Sequence, residues 1–227
     1  MSVNTTEHAI TSAALGPVAC RSCDLFEICC AIDALSGGLA VRAPLLRSVG
    51  PGETIYRAGD PVEHIYAIRK GFAKSERTAG DARTRVIALH IPGEVIGTDS
   101  IRAGYYTDDV VAVSPATLCE LPLKPLLGST QGASLLRDGL ELLMTPTREA
   151  PERSAGPLEE RLERLELTVK KRLQSHGLHT KGLCLKLSKQ AVADLLGVHV
   201  DSLRRSLKRT RTTWTRKASD AFSLMGI

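Results

Sequence analysis

The chain has 227 residues, 43% of them hydrophobic and 24% charged, which is enough apolar side chain for a packed core and argues against a disordered chain. No apolar run approaches the roughly 20 residues a membrane helix needs. The net charge of +5 is unevenly divided: residues 158–227 hold 15 Lys and Arg against 7 Asp and Glu, a net of +8, whereas residues 1–157 hold 15 against 18, a net of −3. A basic C-terminal segment on an acidic body suggests one part that meets phosphate and one that does not. A solvated basic surface would give the same asymmetry.

The N-terminal stretch up to Ala19 carries no Lys or Arg, so it does not read as a secretory signal, and the chain is expected in the cytoplasm. In a reducing compartment its six cysteines are expected to be free, metal-bound or redox-active rather than disulfide-bonded. Their spacing is informative. Cys20-x2-Cys23-x5-Cys29 places three thiols within ten residues, and a lone Cys119 follows far downstream. Four thiols that must converge from two places suggest a metal or iron–sulfur site. Zinc accepts four cysteines, and so does an iron–sulfur cluster. Cys30 is next to Cys29, and Cys184 lies in an apolar run; a spare thiol and a small buried hydrophobe are the expected roles.

From residue 51 to 123 the chain reads as short strands between tight turns. Thr54–Ala58 ends at Gly59-Asp60, His64–Ile68 ends near Gly71, and Ile87, Leu89 and Ile91 alternate up to Pro92-Gly93. Asp109–Val113 and Thr117–Leu121 complete the set, and such spacing predicts a β-barrel or sandwich. Residues 133–144 have leucines at helical intervals. Pro146, Pro151 and Pro157 then preclude an unbroken helix, and a helix resumes at Leu158.

A helix-turn-helix follows. Ser188 is a plausible N-cap for a helix over Lys189–Leu196, Ala193 is small enough for a close helix crossing, and Gly197 supplies the turn. Val192, Leu196, Val198 and Leu203 are the expected core between the two helices. The second helix, Val200–Arg209, is expected to expose Ser202, Arg204, Arg205, Lys208 and Arg209. Such a helix fits the major groove of double-stranded DNA, where Arg reads guanine and Lys contacts phosphate. An amphipathic helical hairpin with no DNA role is the plainer alternative.

On these residues the chain resembles the CRP/FNR superfamily, specifically the FNR type, the oxygen-responsive fumarate and nitrate reduction regulators. Cys20, Cys23 and Cys29 match the cysteine spacing of that type, and Cys119 matches its separate fourth ligand. Pro51-Gly52-Glu53, Ala58-Gly59-Asp60, Tyr66–Gly71 and Ile91–Gly97 resemble its sensor β-roll. Leu158–Leu162 and Ser188–Arg205 resemble its DNA-binding domain. The resemblance implies an α+β chain: a cysteine arm over 1–30, a β-roll over 31–130, a dimerisation-helix region over 131–157 and a helix-turn-helix domain over 158–227. It implies a [4Fe–4S] cluster on the four cysteines, a homodimer when the cluster is intact, and DNA and RNA polymerase as partners.

Several positions depart from the family pattern. The three prolines interrupt the dimerisation helix, so poor dimerisation is expected. Asp201-Ser202-Leu203-Arg204-Arg205 keeps the acid and the last arginine of the recognition pattern but has Arg204 in place of its serine. Ser206 stands where an apolar residue normally packs, and residues 210–227 lack the alternating strands of a wing. A degenerate member without DNA binding is therefore a competing expectation. A cyclic-nucleotide regulator is disfavoured, because Asp108 and Asp109 would repel a phosphate. An enzyme is disfavoured too, since His64 and His90 stand alone.

Overall fold

The computed structural model describes residues 10–11, 17–24, 26, 29, 45–78, 80, 82–124, 130, 156–180, 183–185 and 187–214. The strands up to residue 122 are β1 (Ile10–Thr11), β2 (Leu45–Val49), β3 (Thr54–Tyr56), β4 (His64–Lys70), β5 (Ala73–Thr78), β6 (Thr84–His90), β7 (Val95–Ile96), β8 (Asp109–Ala112) and β9 (Ala116–Pro122). Then come α1 (Leu158–Ser175), β10 (Leu183–Cys184), α2 (Lys189–Leu196) and α3 (Val200–Trp214). Short 3-10 turns lie at Cys20–Ser22 and Thr98–Ser100.

Two four-stranded sheets carry the N-terminal part, in strand orders β2-β9-β4-β7 and β3-β8-β5-β6. All their pairings are antiparallel. The sheets face each other without closing into a barrel. Side-chain alternation sorts the residues of β4 and β9. Tyr66, Ile68, Ala116 and Leu118 turn into the core between the sheets, against Ile55, Tyr56, Ala73, Val110 and Ala112. Ile65, Ala67, Cys119 and Leu121 turn to the opposite face and form a second apolar patch with Leu123.

Aromatic stacking closes one end of the inter-sheet core. The Tyr56 ring lies 3.9 Å from Tyr106 and 5.8 Å from Tyr66 between centroids. Tyr106 donates its hydroxyl to the His64 carbonyl at 2.8 Å, and burial pushes its phenol above the ordinary range. The two carboxylates that follow have structural partners. Asp108, only 3% exposed, takes an ion pair from Arg77, and Asp109 accepts the Ala58 amide at 2.8 Å.

The helices cover the other face of the second sheet. Leu162, Leu165, Val169 and Leu173 recur at helical spacing on α1 and are buried, while Leu167 between them is 50% exposed. They pack with Val192, Leu196 and Leu203 and with Phe72, Val86, Leu89 and Ile91 of the sheet layer. Polar contacts fix the junction. Arg172 makes two 2.7 Å bonds to the Glu94 carboxylate and a third, of 2.8 Å, to the Leu89 carbonyl. Asp194 accepts the Val86 amide of the edge strand β6 at 3.1 Å, so the helix covers a sheet edge that would otherwise be open to pairing.

Three strands escape the periodicity argument. β2 exposes Leu45 and Leu46, β5 reads as the polar run AKSERT, and β7 has two residues. β5 is a strand because β6 and β8 pair with it on both sides. α3 runs on to Trp214, past the expected end at Arg209. β1 pairs in parallel with β10, Ile10 opposite Leu183. The helix expected over 133–144 and the proline-interrupted segment up to residue 155 lie outside the described residues, as does the chain after residue 214.

Ile68 is fully buried between the sheets. Ile68→Ala should cost about 2–5 kcal/mol of stability, whereas Leu167→Ala should change it by no more than about 0.5 kcal/mol. Urea unfolding midpoints of the two variants check the contrast.

Candidate functional site

Cys20 and Cys23 lie on and just after the 3-10 turn, where the Cys23 amide closes back onto the Cys20 carbonyl at 3.0 Å. Cys20 is exposed, Cys23 and Cys29 are half-buried, and Cys119 is buried in β9. Cys23 and Cys29 pack against the patch formed by Ile65, Ala67, Cys119, Leu121 and Leu123. Cys20 lies three residues before Cys23, on the 3-10 turn that leads into this contact. The arm and the strand are thus brought to one place. Among the described residues, no three or more His, Cys, Asp or Glu side chains form the shell of a single metal ion. The side chains of Cys30 and Cys184 lie outside the described residues.

Burial pushes the Cys119 thiol up, the Arg69 guanidinium opposes that rise, and Cys20 adds to it. Desolvation thus outweighs the neighbouring cation. Arg69 lies two residues beyond Ala67 on β4, beside the irregularity in its pairing between Ile68 and Lys70. Its Nε is buried and meets no hydrogen-bond acceptor among the described residues. Its backbone carbonyl accepts the Val18 amide at 2.7 Å, which fixes the start of the cysteine arm.

The arm also reaches the helical layer. Asp24 donates its amide to the Gly93 carbonyl at 3.0 Å. His176, at the C-terminal end of α1, donates from Nδ1 to the Ser22 carbonyl at 2.8 Å. Because a carbonyl only accepts, that bond places the proton on Nδ1. Burial raises the Asp24 carboxyl above its ordinary range, with His176 acting in the opposite sense. None of these ties is legible from spacing. The one available signal was Arg69 itself, a cation in a strand face that otherwise alternates apolar.

The second candidate surface is the α2–α3 hairpin. Ser188 caps α2 by accepting the Ala191 amide at 3.0 Å, and Gly197 takes the left-handed φ of 64° that ends it. Val192, Ala193, Leu196 and Leu203 are fully buried, and Val198 packs beside them. Arg161 of α1 donates to the Leu196 carbonyl, tying the first helix to the turn. Asp201, Arg204, Arg205 and Lys208 are exposed on α3, and Ser202 is half-buried. Arg204 is paired with Asp201 at 3.0 Å, whereas Arg205 makes only long contacts, 3.3 Å to the Asp201 carbonyl and 3.5 Å to Ser202. The side chain of Arg209 lies outside the described residues. Ser206 is buried at the apolar position, and its hydroxyl donates to Glu159 of α1 at 2.6 Å. The hydrogen bond explains how a serine is accommodated there.

Ser188→Ala should lower stability by about 1 kcal/mol. Gly197→Ala, forced to keep a positive φ, should cost a further 1–2 kcal/mol or so. Thermal unfolding of each variant measures both.

Residues 46–129 match the family model described as the cyclic nucleotide-binding domain. The fumarate and nitrate reduction regulatory protein of Escherichia coli is 23% identical over 202 residues, covering 84% of this chain and 79% of that protein. The anaerobic regulatory protein of Haemophilus influenzae is 24% identical, over 84% of this chain and 77% of its own length. Among solved structures, FixK2 from Bradyrhizobium japonicum superposes with a TM-score of 0.59 at 20% identity, covering 76% of this chain and 86% of that one. A CRP-family transcriptional regulator from Thermus thermophilus gives 0.58 at 16% identity, covering 74% and 85%. The paired sheets, the helix-turn-helix behind them and these likenesses agree: the chain is similar in sequence and in fold to transcriptional regulators of the CRP/FNR superfamily.

Proposed function

We propose that this protein is an oxygen-responsive regulator of the FNR type, with a [4Fe–4S] cluster held by Cys20, Cys23, Cys29 and Cys119 and with α3 reading DNA. The observation that carries the reading is the convergence of the arm cysteines on the apolar patch around Cys119. The names of the curated relatives, which refer to fumarate and nitrate reduction and to anaerobic regulation, agree with it. A [4Fe–4S] cluster takes one thiolate at each of its four irons, so its ligands stand around a group larger than a single ion. The residues fit such a group in charge as well, because Arg69, whose buried Nε meets no acceptor among the described residues, stands two residues beyond the strand partner of Cys119. When bound, the cluster supplies an oxygen-labile group that sets assembly and DNA binding.

The chain's own residues divide the remaining work. Cys119 is held in a strand paired on both sides, so it is a fixed ligand. The arm cysteines approach from the surface and are anchored through Val18 and Asp24. On α3, Arg205 is positioned for a base edge, while Lys208 and Arg209 serve phosphate. Asp201 and Ser202 orient the arginines. RNA polymerase and a second copy of the chain are the protein partners this reading assigns. A cyclic-nucleotide regulator finds no support between the sheets, where tyrosines stack and Arg77 is occupied by Asp108.

Anaerobic reconstitution tests the centre. Cys119→Ser and Cys29→Ser should each lose the brown chromophore, and Cys30→Ser and Cys184→Ser should keep about four irons per chain, the number a cubane holds. A full cluster in Cys119→Ser would overturn the ligand assignment. DNA titration tests the other surface: Arg205→Ala should cost about 1–3 kcal/mol and relax preference at one base pair. Lys208→Ala should weaken all sequences alike and flatten the salt dependence. Unchanged operator preference in Arg205→Ala would assign the wrong helix face.

A further inference from the structure

Arg69 is half-buried, and the cysteine ligand set does not account for its buried Nε. Its Nε is shielded from solvent and meets no acceptor among the described residues. Leaving that donor buried and unsatisfied is costly, so a well-packed strand would not be expected to keep it without a use. Its surroundings indicate the acceptor. Arg69 lies two residues beyond Ala67 on β4, and Ala67 is paired directly with Cys119. The Arg69 carbonyl takes the Val18 amide, two residues before Cys20, so backbone and side chain of one residue serve the arm and the fixed ligand together.

We propose that Arg69 is a positioning residue of the cysteine centre, whose Nε–H donates to a sulfur of the bound cluster and whose charge offsets part of the negative charge brought in by four thiolates. The proposal rests on the cluster reading above. It assigns a partner outside the four ligands, the kind of group that orients ligands and tunes such centres. A guanidinium suits this place better than an ammonium, because it is always charged, weakly hydrated and directional. The same geometry makes a distinctive demand on the protein without a cluster: there the buried Nε is a liability, so removing it should not weaken the fold.

The test uses full-length Arg69→Met and Arg69→Lys beside the wild type, each reconstituted under nitrogen. Iron and sulfide per chain, the visible spectrum and the rate of bleaching by an iron chelator are read, together with urea unfolding of the cluster-free chains. Cluster loss from Arg69→Met is expected to be about 10–100-fold faster than from the wild type, the usual effect of removing such a partner, with Arg69→Lys between the two. The cluster-free Arg69→Met is expected to unfold at the same urea concentration as the wild type or higher. Equal bleaching rates in all three would overturn the Arg69 proposal and leave the four-cysteine reading standing. A wild type that takes up neither iron nor sulfide would overturn that reading first. A cluster-free Arg69→Met that unfolds much earlier than the wild type would assign Arg69 a purely structural role and overturn the proposal.

Discussion

The register of β4 on β9, with Ala67 opposite Cys119, is the constraint from which the rest of the molecule follows. Both strands are central in their sheet and buried on both faces. Alternation sends Ile68 and Leu118 to one side and Ile65 and Leu121 to the other, all four almost wholly buried. A slip of one residue would exchange the two sets. With each buried aliphatic side chain worth about 1.5–3 kcal/mol, the alternative register is not competitive. The same register decides that Cys119 faces the arm rather than the tyrosine stack. The direction in which Cys119 points is therefore fixed by hydrophobic sorting and not by any preference of the thiol.

The two faces of the sheet pair are used differently. One receives a short cysteine-bearing segment held mainly through backbone contacts: the amides of Val18 and Asp24 and the carbonyl of Ser22. The other receives a helical layer through a continuous apolar core and buried polar ties. The turn at residues 92–94 belongs to both, since Gly93 meets the arm and Glu94 meets α1. Polar atoms at this junction are matched: two oxygens of Glu94 face two nitrogens of Arg172. Such bidentate pairs give orientation as well as energy.

The helix-turn-helix was legible almost residue by residue, because it is a local structure. Ser188, Gly197 and the four core positions carry its cap, its turn and its packing in a 16-residue window, and each has the predicted environment. The alternating strands were legible where one face is apolar, as in β4 and β9. They were not legible in β5, whose polar sequence is held by pairing on both sides, or in β2, whose leucines are exposed. The cysteine spacing brought Cys20, Cys23 and Cys29 to notice, but it could not reveal Arg69 or His176, which join the site through the fold. Ser206 shows the same limit. It breaks the apolar pattern, and only the position of Glu159 on another helix explains it.

Gly93 has a consequence for how this chain can vary. Its φ of 104° already favours glycine, but a nearer obstacle is the His176 ring, whose Cγ would lie 2.2 Å from a Cβ built at position 93. That ring cannot simply rotate away, because its Nδ1 is bonded to the Ser22 carbonyl. Positions 93 and 176 are therefore one unit of selection, although 83 positions apart in the chain. A side chain can enter the turn only in a lineage where position 176 has first become small, and that first step removes the imidazole that binds the arm. Concerted change at the two positions among related chains is the evolutionary trace such an arrangement should leave.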